Sequence, residues 1–331
     1  MLYLCRIMTC IIPLTKVLTG GALMQTVNDY LSQYTNKRAS SRAIRTINAE
    51  LSMLKTYIVP LIGSIPLMLL RKKHVLATIN AIIVNGHMRT AQAVYTYLRT
   101  ASKGNKHFHA VMLSIDRPTH KPKEICYLSP EEARKLILYS NPQWSPVWLL
   151  MLTLGLRRGE VCGLRWSDID FERKQINIRN QRQYIPGKGC IDTPPKSDSG
   201  NRTLPLMPII EDALAPLHAV HEAQSIIGSA SLYVFKGNSA GGLNPSSVDH
   251  ALMRDCNNLS IRRVTVHGLR HTFATSSVTA GANIRVLSDM LGHASITTTA
   301  HVYAHVDMCP KHDLADAVLG VIGSSKRSTK S

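Results

Sequence analysis

Apolar residues recur at helical spacing through most of the chain. Between residues 41 and 59, Ile44, Ile47, Leu51, Leu54 and Ile58 form one stripe, which predicts a helix that Pro60 stops. Further helices are predicted over residues 24–34, 72–84 and 90–101, the last two closed by Asn85-Gly86 and Ser102-Lys103-Gly104. Ser129, Pro130 and Glu132 read as a capping box with proline in the first turn, so a new helix starts there. Residues 147–154, VWLLMLTL, are apolar nearly all round and are expected to be buried as far as Gly155. Helices are also predicted over residues 208–224, from Asn244-Pro245 through Met253, and over residues 311–321. Residues 266–305 predict three short helices. The first runs to Gly281, the second from an Asn283 cap to Gly292, and the third from a Ser295 cap through Tyr303.

Residues 174–206 change period. KQINIRN at 174–180 alternates as a strand does, and further strands are predicted near 189–194 and at 202–206. The turn between the last two would carry Lys196 at a hairpin tip. The expected fold class is therefore mainly α with a small antiparallel β-sheet (α+β). Residues 104–127 hold Gly, Pro, Lys and His with little periodicity, and residues 105–127 are expected as a linker. The predicted organisation is an N-terminal extension (1–23), a helical domain (24–104), the linker (105–127), a second domain (128–308), and a C-terminal helix with a basic tail (309–331).

Charge changes this picture most. The chain of 331 residues carries a formal net charge of +18. Residues 1–120 hold 15 lysines and arginines against 3 acids, a net of +12, which leaves +6 for the other 211 residues. So lopsided a balance points to a polyanion held by the first part of the chain. The candidate phosphate-backbone contacts there are Lys37, Arg38, Arg42, Arg45, Lys72, Lys73, Arg89, Arg99 and Lys103. The opening residues are apolar but interrupted by Arg6, Pro13 and Lys16, too short and broken for a membrane span. An extension, a weak secretory signal or an early start codon would each produce such a segment. Seven scattered cysteines without a Cys-x-x-Cys pair fit reduced thiols, and a cytoplasmic location is expected.

The candidate chemistry gathers late in the chain. His267 and Arg270 are three apart and share a helix face, and His293 and Tyr303 follow on the next two helices. Arg157 comes directly after the buried helix, where an arginine is costly unless paired or serving an anion, and Glu160 three residues on can hold it. Arginines offer planar bidentate donors to the non-bridging oxygens of a phosphodiester. A tyrosine, with its pKa of about 10, becomes a nucleophile only beside a base and cations. Lys196 could protonate the departing oxygen. No metal-ligand spacing accompanies these groups, so no metal or other cofactor is expected. His301 and His305 are four apart but lack a carboxylate partner, and His271 is expected as a structural hydrogen-bonding group.

Three boxes together resemble the tyrosine recombinases, or phage integrase family. They are TLGLRRGEVCGLRWSDID at 153–170, HGLRHTFAT at 267–275 and LGHASITTTAHVYAHV at 291–306. PPKSDSGNRTLPL at 194–206 resembles the segment that carries the family's catalytic lysine. The resemblance implies catalytic roles for Arg157, Lys196, His267, Arg270, His293 and the nucleophile Tyr303, with Glu160 in support. It implies a helical core-binding (SAM-like) domain and a catalytic domain forming a C-shaped clamp on double-stranded DNA. It also implies cleavage and rejoining through a 3′-phosphotyrosyl bond, without ATP or metal, by a homotetramer on two recombination sites. Integration or excision of a mobile element is the expected use. A directionality factor or DNA-bending protein is left open as a further partner, and no membrane partner is expected. Residues 311–321 would pack on a neighbouring protomer. The alternatives are a catalytically inactive DNA-binding regulator derived from an integrase, a topoisomerase-like strand transferase, and a metal-dependent hydrolase.

Overall fold

A computed structural model describes residues 18–19, 22–119, 126–195, 198–226, 232–237 and 241–303. The chain divides into two compact units, with the boundary between Lys123 and Glu124.

The first unit is helical. Helix α1, Val27–Arg38, starts at a Thr26 cap whose hydroxyl accepts from the Asp29 amide while Asp29 reaches back to the Thr26 amide. The expected start at residue 24 is three residues early, because Thr26 and Asp29 together set the cap. Helix α2, Ile44–Met53, does not end at Pro60. It passes through a π-helical turn, Leu54–Ile58, into a last helical turn, Val59–Ile62. Proline lacks an amide hydrogen and crowds the preceding turn, and the wider π turn lets the chain continue past it. Helix α3, Lys72–Val84, follows, then α4, Met88–Ser102.

Residues 106–113 correct the expected linker. They form helix α5, Lys106–Leu113, capped by Asn105. Phe108, Met112 and Ile115 are buried in the core of the unit with Leu31, Ile58 and Leu98. Burying three large side chains contributes several kcal/mol, at about 2 kcal/mol each, which outweighs the weak periodicity of HFHAVML. Within the expected extension, Leu18–Thr19 pairs antiparallel with Ala22–Leu23.

The second unit opens with α6, Pro130–Tyr139, on the Ser129–Glu132 capping box, with the Glu132 carboxylate accepting from the Ser129 amide at 2.8 Å. Helix α7, Ser145–Leu154, buries Val147, Trp148, Leu149, Leu150, Met151 and Leu154 and half-buries the rest. It ends at Gly155 in the left-handed region, φ 62°, and a short helix α8, Arg158–Gly163, follows. Buried Trp148 donates to Asp255 at 2.8 Å, tying α7 to α10, Pro245–Asn258. Helix α9, Pro208–Ile226, packs on α7.

The strands differ from expectation. Strands β1, Ile169–Asp170, β2, Gln175–Ile178, and β5, Arg202–Pro205, form one antiparallel sheet in the order β1-β2-β5. Strands β3, Gln181–Ile185, and β4, Gly189–Thr193, form a separate hairpin. Residues 189–193 therefore do not pair with residues 202–205. The expected hairpin between these two strands is not formed, and Lys196 itself lies outside the described residues. Strand β3 is not legible in the sequence because QRQYI lacks the apolar alternation that marks a half-buried strand.

The three late helices follow their caps. They are α11, Val266–Thr279, α12, Ile284–Leu291, and α13, Ile296–Tyr303. Asn283 caps α12, and Gly292 closes it in the left-handed region, φ 63°. Helix α13 packs against both α11 and α12, and α11 against α7.

Candidate active site

The ends of α7, α11 and α12 bring the site together. Arg270 points from α11 into the interior and is only 3% exposed. Its Nη1 donates to the Gly155 carbonyl at 2.8 Å and its Nη2 to the Leu291 carbonyl at 2.6 Å, both at helix C-termini. Helix C-termini present carbonyls without amide partners and carry negative partial charge, so they hold a buried guanidinium well. Gly155 is required in this arrangement. A Cβ there would come within 2.5 Å of the Phe273 ring, besides adopting a positive φ.

Arg157 caps the short helix α8. Its Nη1 donates to Glu160 Oε1 at 2.7 Å, its amide to Glu160 Oε2 at 2.8 Å, and its Nη2 to the Gly292 carbonyl at 2.8 Å. Its side chain is 37% exposed, so it faces solvent where Arg270 does not. Arg157, Arg158, Asp249, His267 and Arg270 line one cleft of about 370 Å³. Arg158 pairs with Asp249 at its rim.

Glu160, which is buried, holds a second arginine. Arg202 on β5 forms a two-pronged pair with it, Nη1–Oε1 at 3.0 Å and Nη2–Oε2 at 2.8 Å. Burial works to raise the Glu160 carboxyl, but the Arg202 hydrogen bonds and charge, with Arg157, outweigh it and hold the pKa below its ordinary value. Sequence reasoning missed Arg202, although a signal was present. Residues 202, 204 and 206 alternate onto one face, and Leu204 and Leu206 are core residues. An arginine in phase with them needs a buried acid.

His293 follows the α12 cap. Arg270 Nη2 donates to its Nε2 at 2.8 Å, and its Nδ1 lies 2.9 Å from the hydroxyl of buried Thr299 on α13. A guanidinium can only donate, so Nε2 carries the lone pair and Nδ1 the proton. Burial, then the Arg270 and Arg157 charges, push His293 down to about 4. Partial desolvation and the same arginines also lower His267 below its ordinary value. Both imidazoles are neutral at pH 7, and the one lone pair of His293 is held by Arg270, which leaves His267 as the candidate proton acceptor. Burial and Arg157 push Arg270 down to about 9, which leaves it cationic at neutral pH, at an electrostatic cost that a bound anion would relieve.

His271 packs edge-on against His267, ring centroids 4.7 Å apart, and burial with those neighbours pushes it down to about 4. Cys162 is fully buried beside Glu160, its thiol raised to about 12, and is inert packing. Lys196, His305 and residues 311–321 lie outside the described residues. Tyr303 is the last residue of α13, and its side chain and that of His301 lie outside the described ones.

In the first unit Lys37, Arg42, Arg45, Lys72, Lys73, Arg89 and Lys103 are exposed. Arg38 is paired with Glu50 at 3.1 Å and stacked over the Tyr34 ring at 4.9 Å, so its charge is committed. Arg99 is half-buried. Arg89 and Lys103 stand at opposite ends of α4, roughly 20 Å apart at 1.5 Å per residue. The cations form a dispersed set, suited to an extended backbone and unsuited to a compact ligand.

The chain is similar to known DNA-rearranging proteins. A tyrosine recombinase XerC-like protein of Caldanaerobacter subterraneus subsp. tengcongensis is 30% identical over 203 residues, 55% of this chain and 51% of that protein. The transposase from transposon Tn916 of Enterococcus faecalis is 29% identical over 200 residues, 56% of this chain and 48% of that protein. The chain thus spans about half the length of these curated relatives. Among solved structures, the Tn1549 transposon integrase in complex with transposon right end DNA superposes with a TM-score of 0.74 at 20% identity, covering 90% of this chain and 100% of that one. A lambda integrase dimer bound to a COC′ core site superposes at 0.64 and 18% identity, covering 83% and 97%. At such identity these two likenesses are of fold. The phage integrase family profile matches residues 126–309, more than half of the chain and all of the site just described, and the chain is a member of that family.

Proposed function

We propose that the protein is a site-specific DNA recombinase that cleaves and rejoins DNA through a 3′-phosphotyrosyl intermediate, in the integration or excision of a mobile element. The observation that carries this reading is the convergence of Arg157, His267 and Arg270 on one cleft, with His293 hydrogen-bonded to Arg270. The arginines bind the non-bridging oxygens of the scissile phosphate, which gain charge in the transition state. Tyr303 attacks phosphorus, and a neutral histidine takes the phenolic proton. The bond to the 5′ oxygen breaks, and Lys196 protonates that oxygen as it leaves. A 5′-hydroxyl from a partner duplex reverses the step, so the phosphodiester energy is conserved. The basic first unit holds the duplex backbone, and a homotetramer on two sites performs the exchange, with a directionality factor or DNA-bending protein as further partners. The similarity to the Tn916 transposase supports the mobile-element assignment.

The test uses a nicked suicide duplex carrying the site that the full chain selects from a random-sequence pool. Wild type is expected to form a covalent protein–DNA adduct, and Tyr303→Phe none, with duplex binding retained. Equal adduct from both proteins removes Tyr303 as nucleophile. Binding without any adduct favours the inactive DNA-binding regulator.

A further inference from the structure

The contacts of Arg202 reach further than those of an ordinary buried arginine. Its Nε donates to the Met290 carbonyl at 2.6 Å, in the last turn of α12, three residues before His293. Its Nη1 and Nη2 take both oxygens of Glu160, and Nη1 also reaches the Gly200 carbonyl at 3.2 Å. The side chain is only 7% exposed and Glu160 only 2%. The fit continues on the next residues of the cap. A Cβ on Gly292 would lie 3.1 Å from Arg202 Nη1 and 2.7 Å from the Ser199 carbonyl.

Glu160 is saturated by these partners. Oε1 accepts from Arg157 Nη1 and Arg202 Nη1, and Oε2 from the Arg157 amide and Arg202 Nη2. A carboxylate offers about four acceptor positions. The two guanidiniums therefore divide one buried anion between them, and the position of each depends on the other. Arg202 is also the cross-strand partner of buried Ile178, so its backbone is fixed by the sheet.

We propose that Arg202 is a positioning residue for the reaction, locking Glu160, and through it Arg157, against the end of α12 from which His293 projects. The inference rests on the recombinase reading above. Arg202 does not touch the phosphate. It acts by fixing the spacing between the guanidinium that binds the phosphate and the imidazole beside it. Without it Glu160 loses half its donors, and Arg157 is drawn toward the uncompensated carboxylate and away from the cleft. A displacement of about 1 Å at such a group costs roughly 100-fold in rate.

The experiment measures single-turnover adduct formation by the full chain on the selected suicide duplex, with duplex Kd measured in parallel. The proteins are wild type, Arg202→Gln, Arg202→Lys, Glu160→Gln and the Arg202→Gln/Glu160→Gln double variant. Arg202→Gln is expected to slow adduct formation roughly 100-fold while Kd changes by less than about twofold, because the missing interaction serves only the chemical step. Arg202→Lys keeps charge and bulk but cannot span both Glu160 oxygens and Met290, so it is also slowed, and it carries the comparison if the glutamine variant does not fold. The double variant is expected to be no slower than Glu160→Gln alone, since both changes break one chain of contacts. Wild-type rates from the Arg202 variants, a slowing accounted for by Kd, or effects that multiply in the double variant would overturn the inference alone. A wild type that forms no adduct overturns the recombinase reading and the inference with it.

Discussion

Arg270 donates from Nη2 to Nε2 of His293 across 2.8 Å, so the histidine's free lone pair is committed to an arginine that is itself buried. Protonating His293 would set two cations at hydrogen-bond distance. Burial first, and then this repulsion, depress its pKa to about 4.

A pH dependence of stability follows. In the unfolded chain the histidine titrates near its ordinary 6.5; in the folded chain His293 and His271 titrate near 4. Between those values the unfolded state binds more protons, so stability rises with pH across that window and levels off above it. We expect the Tm of the second unit to fall as pH drops from about 6.5 toward 4, and His293→Gln to reduce that slope without abolishing it, since His271 remains. A Tm independent of pH over this range would show that the Arg270–His293 contact does not persist in solution.

Removing Glu160 should cost more than removing any one of its partners. Glu160→Ala leaves the guanidinium of Arg202 buried without an anion, which is expected to cost about 3–5 kcal/mol. All three tryptophans, Trp144, Trp148 and Trp166, lie in the second unit, so urea unfolding followed by tryptophan fluorescence reads that unit. A destabilisation under about 1 kcal/mol would mean that water reaches and solvates this cluster.

The glycine at the end of α12 gives a test with its own control. Gly292 and Gly281 both have positive φ, but only Gly292 has a carbonyl within 2.7 Å of where a Cβ would stand. Gly281→Ala should cost about 1 kcal/mol, the left-handed penalty alone. Gly292→Ala should cost clearly more and should also displace His293. Equal destabilisation in urea unfolding would mean that the Ser199 carbonyl yields freely.

The charged side chains of the first unit separate by what they already touch. If Arg42, Arg45, Lys72 and Lys73 each neutralise a phosphate, changing all four to glutamine should make the slope of log K against log salt shallower, by roughly 0.9 for each phosphate no longer neutralised. Arg38→Gln should leave the slope unchanged, because Arg38 already faces Glu50 and Tyr34. Salt titrations of duplex binding decide this, and an unchanged slope in the fourfold variant would remove these residues from the DNA interface.

Local rules carried the sequence a long way here. The Ser129–Glu132 box, the Asn283 cap and the Gly155 and Gly292 stops are each set by a few neighbouring residues, and the structure shows them where the spacing predicts. The linker reading of residues 105–127 fails where helix α5 forms, because eight residues with modest periodicity become a helix only when Phe108 and Met112 find a core to enter. Proline at 60 reads as a stop, while the packing of Leu54, Ile58 and Ile62 on the same core carries the helix past it through a π turn.

The amino-acid sequence by itself picked out the candidate side chains, and it determined the helices that carry His267, Arg270 and Tyr303. Box residues and caps are encoded within a few positions of one another. Only the tertiary structure decided how those side chains share their partners. It placed Arg202 and Arg157 on the two oxygens of Glu160, committed the His293 lone pair to Arg270, and separated the β3–β4 hairpin from the sheet of β1, β2 and β5. The Arg270–His293 and Arg202–Glu160 contacts join residues 23 and 42 positions apart, and their energy comes from burial that no short window of sequence contains.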